Sequence, residues 1–310
     1  MRAFLAITAI LVITIVLLPF QALAVLFGWP LARRIPSFYH RLCTAIVGVR
    51  ITTRGRPVPA RPLLIVSNHV SWLDVCVITA LVPAVFVAKR EVAAWPLFGV
   101  LARLQRSIFV DRDRRHRTRH ATAEIGRRLA RGDAVLLFAE GTTSDGSRVL
   151  TFRTALIGAA GDAIAAAARG GVPAREVVIQ PLSIAYTAVR GLPLGRTNRA
   201  TVAWYGSASL LPHLWQLVAR GAIDVTVSWG SPIRYGPSSD RKSVARLLEA
   251  RVRAMTVAAA RGTADAGGPA SESSFPDRAL ERSPHSSRNH RLSTAAVRQS
   301  GDAVRRTCRT

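Results

Sequence analysis

Apolar positions fall into three regimes along the chain. From Phe4 to Trp29 no residue is charged, and most are Ala, Leu, Ile, Val or Phe. From about residue 63 to residue 260, apolar runs of strand length alternate with amphipathic stretches of helical spacing. Beyond Gly262 the chain turns to Ser, Arg, Gly and Pro with little apolar content. The first regime is long enough to cross a bilayer core of about 30 Å at about 1.5 Å per residue. Pro19 and Gln21 interrupt it, so it reads either as a spanning helix or as a kinked hairpin lying in one leaflet. A cleaved leader competes, because Arg2 precedes the run and Ala22-Leu23-Ala24 mimics a cleavage site. Against the leader, the run continues through Val25-Leu26-Phe27, and Arg33, Arg34 and Arg41 follow. A retained anchor is therefore expected, with the following domain on the cytoplasmic side of an inner membrane by the positive-inside bias.

The middle regime predicts an α/β fold. Residues 40–49 read as the end of a helix leading out of the anchor, and residues 54–62 as a turn-rich connection. Strands are expected at 63–67, 85–88, 108–110, 134–139, 177–182, 199–204 and 223–229. Helices are expected at 75–81, up to Leu104, and at 118–131, 155–169, 212–220 and 243–260, with Gly132-Asp133 as one stop signal. This alternation implies a single α/β domain with a largely buried central sheet flanked by helices. The expected organisation is an anchor and linking helix over 1–50, a catalytic domain over 51–261 and a disordered basic tail over 262–310.

Charge sharpens the picture. The formal net charge is +25. Nearly all of it is arginine, Lys89 and Lys242 being the two lysines. Such a balance attracts polyanions: an anionic lipid surface, an acidic carrier protein or nucleic acid. No aromatic residues are interleaved with the basic runs, and a membrane anchor suits a nucleic-acid enzyme poorly, so nucleic acid is not expected as a partner. Cys43, Cys76 and Cys308 form no spacing pattern. They read as reduced thiols, with neither a disulfide framework nor a zinc site.

Candidate chemistry gathers where apolar runs stop. Residues 63–67 end at Asn68-His69, and Asp74 follows the histidine by five positions. A strand's carboxyl end is where open α/β sheets carry their sites. His69 then offers a general base and Asp74 its orienting carboxylate. Ser71 and Asp74 also fit a capping box at the start of the next helix, a purely structural reading. Two further runs stop at Asp111-Arg112 and Glu140-Gly141-Thr142. Parallel neighbouring strands would bring all three ends to one rim. Gly-x-Ser-x-Gly, Gly-x-Gly-x-x-Gly and P-loop signatures do not occur, nor does a metal-ligand cluster. A base without a protein nucleophile activates a substrate hydroxyl or water, and the anchor points to acyl transfer onto a lipid hydroxyl.

These residues carry a resemblance. Asn68-His69-Val70-Ser71-Trp72-Leu73-Asp74 resembles the N-H-x-S-x-x-D block of the glycerolipid (1-acylglycerol-3-phosphate) acyltransferase family. Ile108-Phe109-Val110-Asp111-Arg112 resembles its second block, Phe138-Ala139-Glu140-Gly141-Thr142 its third, and Val178-Ile179-Gln180-Pro181-Leu182 its proline-bearing fourth. The resemblance implies that His69 deprotonates an acceptor hydroxyl, which attacks an acyl thioester, while Asp74 orients the imidazole. It assigns Asn68, Ser71, Glu140, Gly141 and Thr142 to the acceptor site, Arg112 to the acceptor's phosphate, and Pro181 to the acyl-donor side. The implied partners are an acyl carrier protein or coenzyme A thioester, a lysolipid acceptor and an anionic membrane surface. No metal or bound cofactor is implied. The expected acceptor is 1-acyl-sn-glycerol-3-phosphate.

Two positions depart from the family pattern. The usual arginine after Glu-Gly-Thr is Thr143, and the proline before the glutamate is Ala139. Arg148 or Arg153 would have to replace the missing phosphate ligand. Otherwise the acceptor is a lysophospholipid with a larger head group, or a lyso-ornithine-type lipid without phosphate.

Overall fold

The computed structural model describes residues 1–110, 115–169 and 176–263. In chain order it forms α1 (Arg2–Leu26), α2 (Leu31–Val47), β1 (Val49–Arg54), β2 (Leu63–Ser67), α3 (Leu73–Leu81) and β3 (Val85–Lys89). A 3-10 turn at Arg90–Ala94 leads to α4 (Phe98–Leu104), β4 (Ile108–Val110), α5 (Arg115–Ala130), β5 (Ala134–Phe138), α6 (Thr154–Ile157) and α7 (Ala159–Arg169). The chain then runs through β6 (Val177–Val189), β7 (Leu192–Pro193), α8 (Leu210–Arg220), β8 (Ile223–Trp229), β9 (Ile233–Tyr235) and α9 (Arg241–Arg261).

The sheet order is β1-β8-β6-β2-β5-β3-β4, with β7 and β9 also pairing to β6. From β6 through β2, β5 and β3 to β4 all neighbours are parallel, whereas β8 lies antiparallel to β6. Alternation along β2 explains why the whole run is apolar. Leu64 and Val66 face one buried cluster with α5, α7 and α9, and Leu63 and Ile65 face another with α1, α2, α3 and α8. A strand covered on both faces reads as continuous hydrophobicity rather than alternation.

Pro181 sits inside this sheet, opposite Val66 of β2. It is tolerated because its missing donor falls where β8 ends and β9 has not yet begun. Its carbonyl accepts there from Gly230 N–H at 2.9 Å, and a Cβ on Gly230 would come within 2.8 Å of the proline ring.

Three expectations change. Residues 49–54 form β1, an edge strand parallel to β8, between the helix end expected to residue 49 and the turn expected from residue 54. The run over 177–182 extends to Val189. Residues 199–204 form no strand. Arg196–Thr201 is a 3-10 turn, Val202 and Ala203 are buried, and Trp204 N–H donates to the Val70 carbonyl at 2.9 Å. Those apolar residues cover the loop after β2 instead of joining the sheet. The basic tail from residue 264 lies outside the described residues.

By length and composition α1 could cross a membrane. It is nonetheless tied along the domain at both ends and in the middle. The Arg2 guanidinium donates to the Val218 and Val47 carbonyls, where it meets the negative ends of α8 and α2. Thr14 Oγ1 and Tyr39 OH lie 2.9 Å apart, and Gln21 Nε2 donates to Ala32 O and Leu104 O at 3.1 and 2.7 Å. Its outward face is bare hydrocarbon: Phe4, Leu5, Ile15, Phe20 and Leu26 are 60–75% exposed.

Candidate active site

β2 and β5 are parallel neighbours, so Asn68-His69 and Glu140-Gly141 emerge side by side, with Ser67 opposite Phe138. β4, which precedes Asp111-Arg112, lies two strands beyond β5 on the same rim. Asp111 and Arg112 themselves fall outside the described residues.

Asp74 is fully buried and its two oxygens divide four donors. Oδ2 accepts from His69 Nδ1 at 2.8 Å, Val70 N–H at 2.7 Å and Ser71 N–H at 3.0 Å. Oδ1 accepts from Tyr186 OH at 2.7 Å. A carboxylate has no hydrogen to give, so Nδ1 carries the hydrogen of this bond, and in the neutral ring the lone pair is on Nε2. The ring is held from its face as well: it stacks on Phe138 with centroids 3.8 Å apart and planes 12° apart. The histidine carbonyl is held by Ser144, whose N–H donates at 2.8 Å and whose Oγ lies at 3.2 Å. His69 therefore has a fixed backbone, a fixed ring plane and a fixed tautomer.

Only half of the expected capping box forms. The Asp74 carboxylate reaches back to the Ser71 amide, but Trp72 occupies the cap position and Ser71 Oγ has no hydrogen-bond partner among the described residues. The structural and chemical roles of Asp74 share one oxygen.

Asn68 is buried and spends its side chain on backbone. Nδ2 donates to Ile184 O and Oδ1 accepts from Ile184 N–H, both at 2.9 Å. The amide supplies one more rung between β2 and β6 after the last backbone pair. Pro181 is buried in the sheet, while Thr142 is exposed on the rim. Gly141 needs to be glycine: its φ is +72°, and a Cβ would come within 2.5 Å of Arg153 Nε. Arg153 lies across this turn, its Nε 3.4 Å from the Glu140 carbonyl.

Glu140 is buried, with Leu150 N–H donating to Oε1 at 3.2 Å and Oε2 unpartnered among the described residues. Burial pushes its carboxyl up to about 8; the Leu150 and His69 amides oppose that rise, and Asp74 and Glu249 add to it. A carboxyl raised on folding binds its proton more tightly in the folded chain. Its contribution is whole below the unfolded value near 4.5 and lost as pH rises through about 8. Stability is expected to decline across that window by up to about 1.4 kcal/mol per pH unit from this group. Melting curves from pH 5 to 8.5 should show a smaller decline for Glu140→Gln than for the parent; parallel slopes would contradict the assignment.

Cys43 and Cys76 are unpaired, and burial raises both thiols, Cys43 to about 11, so neither is poised as a nucleophile. Cys308 lies outside the described residues. Among the described residues no three His, Cys, Asp or Glu side chains gather to hold a metal. Behind His69 and Asp74 an apolar cavity of about 580 Å³ opens between α1, α2, α3, α4 and α8. The cap residue Trp72 and Leu73, Val75 and Cys76 of α3, on either side of Asp74, form part of its wall.

Sequence reasoning missed Tyr186, Phe138 as the ring's platform, and Ser144. A tyrosine or phenylalanine in an apolar strand reads as ordinary core, and only the pairing of β6 with β2 carries Tyr186 toward Asp74.

A family model described as Acyltransferase matches residues 50–185. The chain is 48% identical over 263 residues to a lyso-ornithine lipid O-acyltransferase of Brucella abortus, covering 84% of this chain and 96% of the relative. It is 42% identical over 246 residues to one of Rhizobium meliloti, covering 79% and 82%. A solved structure, the 1-acyl-sn-glycerophosphate (LPA) acyltransferase PlsC of Thermotoga maritima, is similar in fold with a TM-score of 0.53 at 20% identity. That likeness spans 83% of this chain and 97% of the other.

Proposed function

The chain belongs to the PlsC-like acyltransferase family, and from that premise we propose that it acylates the free hydroxyl of a lysolipid, with lyso-ornithine lipid as the acceptor. Similarity over 96% of the length of a relative with that activity carries this reading. Thr143 agrees with it. A threonine where a phosphate-reading arginine is usual suits an acceptor that presents no phosphomonoester.

In the proposed reaction the acceptor hydroxyl sits on His69 Nε2. As its oxygen attacks the thioester carbonyl, the proton passes to the imidazole, and Asp74 stabilises the cation that forms. Collapse of the tetrahedral adduct breaks the carbon–sulfur bond, and the proton returns from Nε2 to the leaving thiolate. Ester and free thiol result, so atoms balance without a cofactor. The donor is the thioester of acyl carrier protein or coenzyme A, both anionic and matched to a chain of net charge +25. The cavity beside α3 receives the acyl chain. Thr142 and Arg153 flank the acceptor at the rim. Asn68, Gly141 and Pro181 act by shaping backbone.

Membrane attachment follows from α1. A helix fastened lengthwise to its own domain, with bare hydrocarbon outward, suits immersion in one leaflet rather than a crossing. Arg33, Arg34 and Arg41 favour the cytoplasmic side of the inner membrane.

The test offers equal amounts of lyso-ornithine lipid and 1-acyl-sn-glycerol-3-phosphate to the protein in anionic vesicles with a labelled acyl thioester. Turnover should favour the ornithine acceptor by about tenfold or more in kcat/KM, and Thr143→Arg should shift the ratio toward the phosphate acceptor. A preference of the unaltered chain for the phosphate acceptor would overturn the assignment and restore the glycerolipid reading.

A further inference from the structure

The side of α9 that reaches the loop beside Glu140 is also strongly basic. Glu249 Oε2 accepts from Phe152 N–H at 3.1 Å, and Arg253 donates to the Val149 carbonyl at 3.3 Å. In the same loop Leu150 N–H holds Glu140, and Arg153 N–H donates to the Ala139 carbonyl at 2.8 Å. α9 therefore abuts the segment that borders the rim carrying His69 and Glu140.

Spacing puts the cations on that side of the helix. Arg246 stands three residues before Glu249 and Arg253 four after it, the separations at which helical side chains are neighbours. Val257 and Arg261 continue the row four and eight residues beyond Arg253. Arg246, Arg253, Val257 and Arg261 are all exposed. Glu249, paired with Arg253 at 2.6 Å, is the one acid from residue 241 to 261, against Arg241, Lys242, Arg246, Arg251, Arg253 and Arg261. From Arg246 to Arg261 the row runs about 22 Å along the axis. A single phosphate group would meet one or two of its members, whereas an acidic protein surface can lie along all of them.

The two faces of the sheet separate this row from the apolar helices. Val244, Leu248 and Val252 of α9 are buried in the cluster with α5 and α7, while α1, α2 and α8 pack in the other. With α1 lying on a leaflet, the α9 row faces away from it and meets partners arriving from solution. The apolar cavity is on the α1 side, so a thioester delivered from the α9 side has only the His69 rim to cross.

We propose that this row on α9 is the docking face for an acyl carrier protein, whose acidic surface lies along Arg246, Arg253 and Arg261 while its thioester arm passes over residues 149–153 to His69. The proposal rests on the acyl-transfer reading and narrows its donor. A coenzyme A thioester could react at the same histidine but would not span the row.

The test measures kcat/KM for one acyl chain offered as the carrier-protein thioester and as the coenzyme A thioester, at fixed acceptor in anionic vesicles. The unaltered protein should prefer the carrier thioester by about tenfold or more, and the preference should shrink as salt rises. Arg246→Glu with Arg261→Glu should lower kcat/KM for the carrier thioester by about tenfold or more and change the coenzyme A reaction by less than about twofold. Arg246→Ala with Arg261→Ala, which removes charge without adding acid, is a second variant and should cost about threefold with the carrier alone. Equal activity of the unaltered protein with both thioesters, or charge reversal that affects both donors alike or neither, overturns the proposal. Release of the charge-reversed variant from vesicles also overturns it and gives the row to lipid. Failure of the unaltered protein with both thioesters would overturn the acyl-transfer reading beneath it, and the proposal with it.

Discussion

His69→Ala is expected to lower kcat/KM for acyl transfer by about three to four orders of magnitude, the upper range for loss of a general base. Nothing else described at this rim can replace it: Asp74 is fully buried and committed to four donors, and Glu140 is buried beneath the loop. The fold should persist. The bonds from Ser144 to residue 69 use its backbone carbonyl, which alanine retains. Lost are the stack on Phe138 and one donor to Asp74 Oδ2, which keeps the Val70 and Ser71 amides. Ring stacking contributes about 0.5–1.5 kcal/mol beyond burial, a shift of a few degrees in a domain of this size. Calorimetry beside a labelled-acyl assay separates the two quantities. Activity within about tenfold of the parent would remove His69 from the mechanism.

How much of this was legible in sequence depends on how local the cause is. β2, β3, β4, β5 and β8 are short apolar runs bounded by turn residues, and strand burial on both faces makes them stand out. β1 was not legible. Val49-Arg50-Ile51-Thr52-Thr53-Arg54 alternates weakly because it is an edge strand, and pairing with β8 alone gives it shape. The error at 199–204 has the opposite origin: Val202 and Ala203 are buried, but against the loop carrying Val70 rather than in a ladder. The same division holds in the site. His69 and Asp74 are five residues apart and bound by local geometry, so their spacing announces them. Tyr186 lies 112 residues from Asp74, and no spacing can reveal a partner delivered by sheet order.

Helix packing around the cavity also links α1 to the proposed site. The helix that opens at Leu73 presents Asp74 to the histidine and lines the cavity with Leu73, Val75 and Cys76, while α1 supplies the opposite wall with residues such as Ile10 and Leu17. One face of α1 closes the proposed acyl site and the other is bare hydrocarbon. Under the proposed reading, a lipid chain would pass from leaflet to cavity along the same helix, and removing α1 would open the site as well as detach it.

Asp74→Asn should lower kcat by about three orders of magnitude with KM little changed, because the charge matters most when the imidazolium forms. The geometry predicts how the amide would sit. Three donors meet at Oδ2, so the asparagine oxygen takes that place and its NH2 turns to Tyr186, whose hydroxyl can rotate to accept. The variant should therefore fold, with the histidine ring still in position but without a counter-charge. Tyr186→Phe alone leaves Oδ1 buried without a donor, at a cost of about 1–3 kcal/mol for an unsatisfied polar group, and is expected to reduce kcat about tenfold. In the Asp74→Asn background there is no charge left for the tyrosine to support, so adding Tyr186→Phe should change kcat by less than about twofold. A double-mutant cycle reads that coupling directly. Fully additive losses would mean that Tyr186 acts on the reaction by a route other than Asp74.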